Sequence, residues 1–284
     1  MKKQSVARSS LVLSALLALA AAPAGAQAWN GAFITIGAGA NQAPGSGDHF
    51  IFDTNQDGTY NDTVMTSGGA NAFSPGGCKG IANGAMPQDG CYDDSDRASL
   101  SARIGYDWQM GHLVIGLLGD YNSLKLTSAV SGFGADATLG SDSYTLARSF
   151  RSISAVRVRL GYGTDNWLVY ATAGAASAKF HHAFMTSNSL NTFTATPGGK
   201  TKSGYQAGLG LEHRIDGHWS MGLEYLRTRL DDQAIAVHVG PGAGTFASNP
   251  FLLANPAGTD MRRGEDRLNI DSLTLTMTYR FGGL

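Results

Sequence analysis

Nine ionisable side chains stand among Gly, Ser and Thr on alternating stretches of the chain: Arg103, Asp107, Asp120, Arg157, Arg159, Glu212, Glu224, Asp271 and Arg280. The set mixes both signs. Gathered in one enclosed space, such groups do one of two things. Paired, they cancel and lock the surrounding elements together, because a buried charge without a partner is very costly. Hydrated, they line a narrow aqueous path. Arg157 and Arg159 share a face and need at least two acids; Glu212 and Glu224, on the two arms of one hairpin, are candidates. A charge-paired plug is the expectation, with a water-filled path as the alternative.

Other residues suggest other chemistry. Asp53, Asn55 and Asp57 followed by Gly58 place oxygen ligands as a calcium loop begins. Asp62 could complete the set, although the twelfth position is Val64 and no flanking helices are evident. A solvated, turn-rich loop is the plainer reading. Cys78 and Cys91 lie in a Gly/Asn/Asp-rich stretch and are expected to form a disulfide if the chain is exported; two thiols alone make a poor metal site. His181, His182, His213, His218 and His238 are scattered without a Ser or acid partner at repeated spacing. No phosphate loop, metalloprotease helix or nucleophile elbow occurs. No catalytic residue and no cofactor is therefore assigned, apart from possible calcium in the first long link.

The elements that would position the nine charges are strands. From Ile270 onward, Leu273, Leu275, Met277, Tyr279 and Phe281 alternate with Ser272, Thr274, Thr276, Thr278 and Arg280, which is a period of two. The same alternation marks 29–39, 98–108, 113–125, 144–163, 167–180, 201–215 and 218–230, giving eight strands with 267–281. The links alternate long, short, long, short, long, short, long. Every short link joins an even strand to the next odd one. Asp216-Gly217 is a strong hairpin turn. Trp108, Tyr162, Trp167 and Trp219 flank the short turns and Phe281 falls at the matching end, as an interfacial aromatic belt would. The pattern predicts an all-β fold: an eight-stranded antiparallel up-and-down transmembrane β-barrel with long extracellular loops, apolar outside and polar inside.

The amino terminus supports export. Lys2, Lys3 and Arg8 precede an apolar run, Leu11 to Ala22, and Ala24-Gly25-Ala26 is a small-residue cleavage pattern. Residues 1–26 are read as a signal peptide and 27–284 as one barrel domain. Without the three leader cations, eighteen bases face twenty-two acids, which argues against nucleic acid as a partner. Glycine is abundant, 38 of 284 residues, and suits tight turns and close packing in a narrow barrel.

The leader, the eight strands and the terminal TLTMTYRF together resemble the small Gram-negative outer-membrane β-barrel proteins, described as porin-like or outer-membrane protein A-like β-barrel domains. Phe52 to Gly58, Asn71 to Pro75, the Cys pair, Gly222 to Tyr225, Asn249-Pro-Phe251 and Gly258-Thr-Asp260 are similar to an alphaproteobacterial subgroup. The resemblance implies the outer membrane as location, with its lipid and the barrel assembly machinery as partners. Family members commonly end at the terminal Phe; here Gly282-Gly283-Leu284 follow Phe281. The resemblance brings no activity. The functional expectation is an envelope-structural or surface-interaction protein whose loops meet extracellular ligands. The alternatives are a narrow porin-like channel for small solutes and, with least support, a lipid-modifying enzyme.

Overall fold

A computed structural model describes residues 28–43, 48–74, 76–93, 98–136, 140–196, 201–232 and 235–281. The expected signal peptide, and the three residues after Phe281, lie outside the described residues.

Eight strands form the wall: β1 (Gly31–Gln42), β2 (Ala98–Met110), β3 (Leu113–Asp136), β4 (Gly140–Gly163), β5 (Trp167–Lys179), β6 (Thr201–Arg214), β7 (Trp219–Asp231) and β8 (Arg267–Arg280). Each pairs antiparallel with its neighbours in the chain. The ring is completed by β1 on β8, from Phe33↔Arg280 to Gln42↔Asp271. A ring satisfies every strand's backbone groups internally, which is the condition for crossing hydrocarbon as strands.

The two faces separate by polarity as the alternation requires. Outward, Ile36, Leu100, Ile104, Val156, Leu160, Leu209 and Leu275 are exposed, Leu275 to 64%. Inward, Ser272, Thr274, Thr276, Thr278 and Arg280 are buried. Apolar side chains exposed in a continuous wall have one suitable neighbour, lipid. Trp108, Tyr162, Trp167, Trp219 and Phe281 ring the short-turn end, and Tyr121, Tyr205 and Tyr225 stand exposed toward the other. They bracket the band as interfacial girdles.

The structure departs from the sequence reading at the long-link end. Of residues 126–143, expected as a loop, 126–136 and 140–143 continue β3 and β4 as two paired 24-residue strands. A register shift between Ser123 and Leu126 marks where they leave the regular ladder. His181–Thr186, also expected as loop, pairs with the upper half of β4. Four short strands from three different links then assemble a separate antiparallel sheet, in the order Thr192–Ala195, Val237–Gly240, Thr259–Arg263, Phe50–Asp53. This cap has its own core of Phe52, Val64, Tyr144, Val237, Val239, Phe251 and Met261. Cys78 and Cys91 form a disulfide beside it, with Cα atoms 6.0 Å apart.

Candidate functional site

Inside the wall, eight of the nine ionisable residues singled out above meet as two electrically balanced tiers. The first holds Arg159 and Arg280 against Asp107 and Glu212. Asp107, on β2, accepts from Arg159 Nε at 3.0 Å, from Arg280 Nη1 at 2.9 Å and also from Arg159 Nη2. Glu212 accepts from Arg159 Nη1 at 3.2 Å and from the Ser220 hydroxyl. The second tier holds Arg103 and Arg157 against Asp120 and Glu224. Arg103 donates to Asp120 at 2.8 Å and to Glu224 at 2.5 Å. Arg157 donates to Asp120 at 2.6 Å and to Glu224 at 3.2 Å. In the second tier each guanidinium thus bridges two carboxylates and each carboxylate two guanidinia, whereas in the first Arg280 reaches Glu212 only at 3.8 Å. Charge-assisted hydrogen bonds of this kind offset the cost of desolvation.

The register explains why these residues converge. Asp107 and Arg159 both flank Gly116, one on each side of β3. A Cβ on Gly116 would stand 2.1 Å from Asp107 Oδ1, so only glycine leaves room for the carboxylate. Gly210 plays the same part for Tyr170, whose ring would meet a Cβ there at 2.2 Å. Tyr170 then donates its phenol to Glu224 Oε2 at 2.9 Å. The Arg159 guanidinium lies 4.6 Å over the Phe33 ring and 4.9 Å over that of Tyr170, within cation–π range.

The ninth residue, Asp271, is not in the lumen. It occupies an outward position of β8, accepts from the Tyr225 hydroxyl at 2.7 Å and lies 3.9 Å from Arg227. At this end of the strand the polarity is reversed, with Leu268 and Ile270 buried inward and Arg267, Asn269 and Asp271 on the outward face, so residue type no longer reports direction.

Apolar layers close the charged tiers above and below. Trp29, Val114 and Leu168 are buried at the short-turn end. Leu126, Phe150, Ile153, Phe180, Leu230 and Ile270 are packed together toward the cap. The inward face is therefore not polar throughout, as expected from sequence, but turns apolar in its outer third. A cavity lined by Arg103, Asp120, Asn122, Gln206 and Glu224 has a volume of ≈ 10 Å³, about one water.

Two buried groups between barrel and cap escaped the sequence reading. Asp232 receives Arg148 Nη1 at 3.2 Å, His182 Nε2 at 2.9 Å and Lys202 Nζ at 3.7 Å. Burial alone would raise its pKa, but the His182 hydrogen bond and the charges on His182 and Arg148 hold it below the ordinary carboxylate range. Arg263 pairs with Asp48 and donates to the Ser128 carbonyl. Burial, with Arg148 near it, lowers its guanidinium to about 10. Arg148 lies in a segment read as regular strand, so its alternation was the available signal; its acid partner, 84 residues on, had none.

The calcium-loop residues hydrogen-bond within their own loop. Asp53 accepts the backbone N–H of Asp57 at 3.1 Å and of Gly58 at 2.8 Å. Asp62 accepts from the Thr54 amide and hydroxyl, and Asn55 Nδ2 donates to Asp57. The carboxylates point at donors of their own turn. Among the described residues no three His, Cys, Asp or Glu side chains gather as a metal cluster. Of the histidines, His238 pairs with Asp260 at 2.6 Å and with the Ala257 carbonyl at 3.1 Å. His213 and His218 cap backbone carbonyls at the short turns, of Asn166 and Arg280. His181 is exposed on the strand paired to β4.

Known proteins agree with this architecture. Residues 11–281 match the family described as outer membrane protein beta-barrel domain. The chain is 28% identical over 273 residues to the 31 kDa outer-membrane immunogenic protein of Brucella melitensis, covering 95% of this chain and 91% of that protein; the same protein of Brucella suis matches equally. Among solved structures it is similar to the outer membrane protein OprG of Pseudomonas aeruginosa, with a TM-score of 0.42 and 11% identity over 89% of this chain and 96% of that one. The outer membrane protease OmpT of Escherichia coli aligns with a TM-score of 0.39 and 8% identity over 89% of this chain and 97% of that one. A matched family profile from residue 11 to the last described residue settles the point: the chain belongs to the outer membrane protein beta-barrel domain family and is an outer-membrane protein.

Proposed function

We propose that this protein works by contact: a plugged outer-membrane barrel that anchors a folded cap at the cell surface, giving the envelope a rigid strut and its surroundings a docking face. The observation that carries the reading is the packing of the lumen. Two neutral tiers of bridged charges lie between apolar layers. A solute would have to break several buried ion pairs and part a hydrophobic layer to pass. The cap supports the second half of the proposal. Its sheet joins residues from three links, which holds a defined surface outward rather than a set of separate loops. The Brucella relatives are named as immunogenic, and an outward cap is the part of such a chain that antibodies reach.

The test is conductance of the purified protein in planar bilayers. No discrete openings are expected at moderate voltage. Regular single-channel steps would overturn the plugged reading in favour of a small-solute channel.

A further inference from the structure

Between the cap and the far half of β3 lies a cavity of ≈ 440 Å³, within the roughly 300–1,000 Å³ of small-molecule sites. Its apolar wall is Phe50, Phe52 and Phe73. The Phe73 ring centre stands 4.8 Å from that of Phe52 and 6.3 Å from that of Phe50. Phe52 is buried, whereas Phe50 and Phe73 are half-buried and keep accessible ring surface. Two residues of opposite charge, Asp62 and Lys79, line the same space. Asp62 is fixed beside the rings by its amide, which donates to the Phe52 carbonyl at 3.0 Å. Lys79 ends a short strand, Gly77–Lys79, that pairs antiparallel with 130–132 of β3, and the Cys78–Cys91 disulfide ties that strand down. Asp62 accepts hydrogen bonds from Thr54, but among the described residues neither it nor the exposed Lys79 forms an ion pair. Asp48, also on the lining, is already paired with Arg263.

We infer that this cavity binds a free α-amino acid with an aromatic side chain, held as its zwitterion. The three phenylalanine rings give the ligand ring an apolar bed, where offset or edge-on contacts between rings are favourable. Lys79 faces the ligand carboxylate and Asp62 its ammonium group, each a charge-assisted contact. An aromatic acid without an amine would bring a second negative charge to Asp62, and an aromatic amine without an acid would bring a second positive charge to Lys79. A ligand carrying both signs next to its ring matches both residues at once. Within a peptide one of the two charges is consumed by the amide bond, so the free amino acid fits better than a peptide end. The site lies in the cap, and it stands whether the lumen is plugged or open.

The experiment is isothermal titration calorimetry of the whole barrel in mild detergent with L-phenylalanine, N-acetyl-L-phenylalanine, L-phenylalaninamide and glycine. L-phenylalanine should bind saturably in the millimolar range or below. Glycine, which lacks the ring, should bind at least tenfold more weakly. The N-acetyl and amide forms, each lacking one charge, should lose about fivefold. Lys79→Glu replaces an attraction by a repulsion and should weaken L-phenylalanine roughly tenfold without weakening the amide form, a split that a merely structural lysine would not give. Thr63→Trp, an enlargement at an exposed position on the cavity lining, should abolish binding. No saturable heat with L-phenylalanine would overturn the inference, as would equal affinity for glycine or for the N-acetyl form. Unchanged binding in Thr63→Trp would place the ligand elsewhere and overturn it too. Displacement of L-phenylalanine by a neutral disaccharide would assign a sugar site in its stead. Heat-modifiability on gels checks that both variants are folded; were Lys79→Glu to fail, Lys79→Gln, with an expected fivefold loss, decides the same question.

Discussion

Replacing Asp107 with asparagine keeps the shape of the side chain and removes one charge from a fully buried tier. In the parent this carboxylate is bonded to Arg159 at 3.0 Å and to Arg280 at 2.9 Å. Without it, two guanidinia share one acid, Glu212, which lies 3.2 Å from Arg159 and 3.8 Å from Arg280. Apolar layers lie above and below the two tiers. Removing one partner from a buried pair costs about 3–5 kcal/mol, because the remaining charge stays desolvated. The assay is denaturant unfolding of the barrel from lipid vesicles, followed by tryptophan fluorescence. Asp107→Asn is expected to lose about 3–5 kcal/mol at unchanged m-value. Adding Arg159→Gln restores neutrality and should recover much of that loss, giving a coupling energy of opposite sign to the single effects. If the single variant falls by less than about 1 kcal/mol, or the double variant is as unstable as the sum of the two singles, charge balance is not what closes the lumen.

Leu275→Arg places a charge on the lipid-facing wall and should cost about 2–4 kcal/mol near mid-bilayer, seen as lost heat-resistance in detergent gels; an unaffected protein would mean the faces are reversed. Removing the disulfide with Cys78→Ala and Cys91→Ala should cost the cap about 3 kcal/mol, the entropy of closing a short loop, and speed external proteolysis while the barrel band stays heat-modifiable. Asp232 has a depressed folded-state pKa, so its stabilisation is present above the ordinary value near 4 and disappears as pH falls through the lower one; acidification from pH 5 to pH 2 should therefore destabilise the parent more than Asp232→Asn. Millimolar calcium should leave the melting temperature unchanged, since Asp53 and Asp62 already serve their own turn; a clear rise would restore the metal reading.

What could be read from the chain alone followed the hydrocarbon band. Where one face meets lipid, alternation is strict, and the eight wall strands and the girdle at Trp108, Trp167 and Trp219 are visible as a period of two. Above the band that constraint ends. Asp271 reads as a lumen residue because the outward face, which it shares with Arg227 and Asn269, turns polar above the band. Residues 126–143 lose their signature at the register shift, although Val130 and Phe133 are buried there. The cap was illegible for a different reason: Phe52 pairs with Met261 and Val237 with the same residue, and such distant pairings leave no local period. The charged tiers were legible as a set, but not as partners. Asp107 was not singled out for Arg159 because the register of three strands decides which carboxylate meets which guanidinium.

The seam between the first and last strands sets an order of events during biogenesis. Ala40 waits for Leu273, and Phe33 for Arg280, so the cylinder cannot shut until nearly the whole polypeptide has arrived. The cap obeys the same timetable, since Phe50–Asp53 pairs with Thr259–Arg263. A chain stalled before its final hairpin would therefore be left with an open edge in the bilayer and an unfinished surface outside. A single late step completes both, and an antibody specific for the finished cap would report, from outside the cell, that the seam has joined.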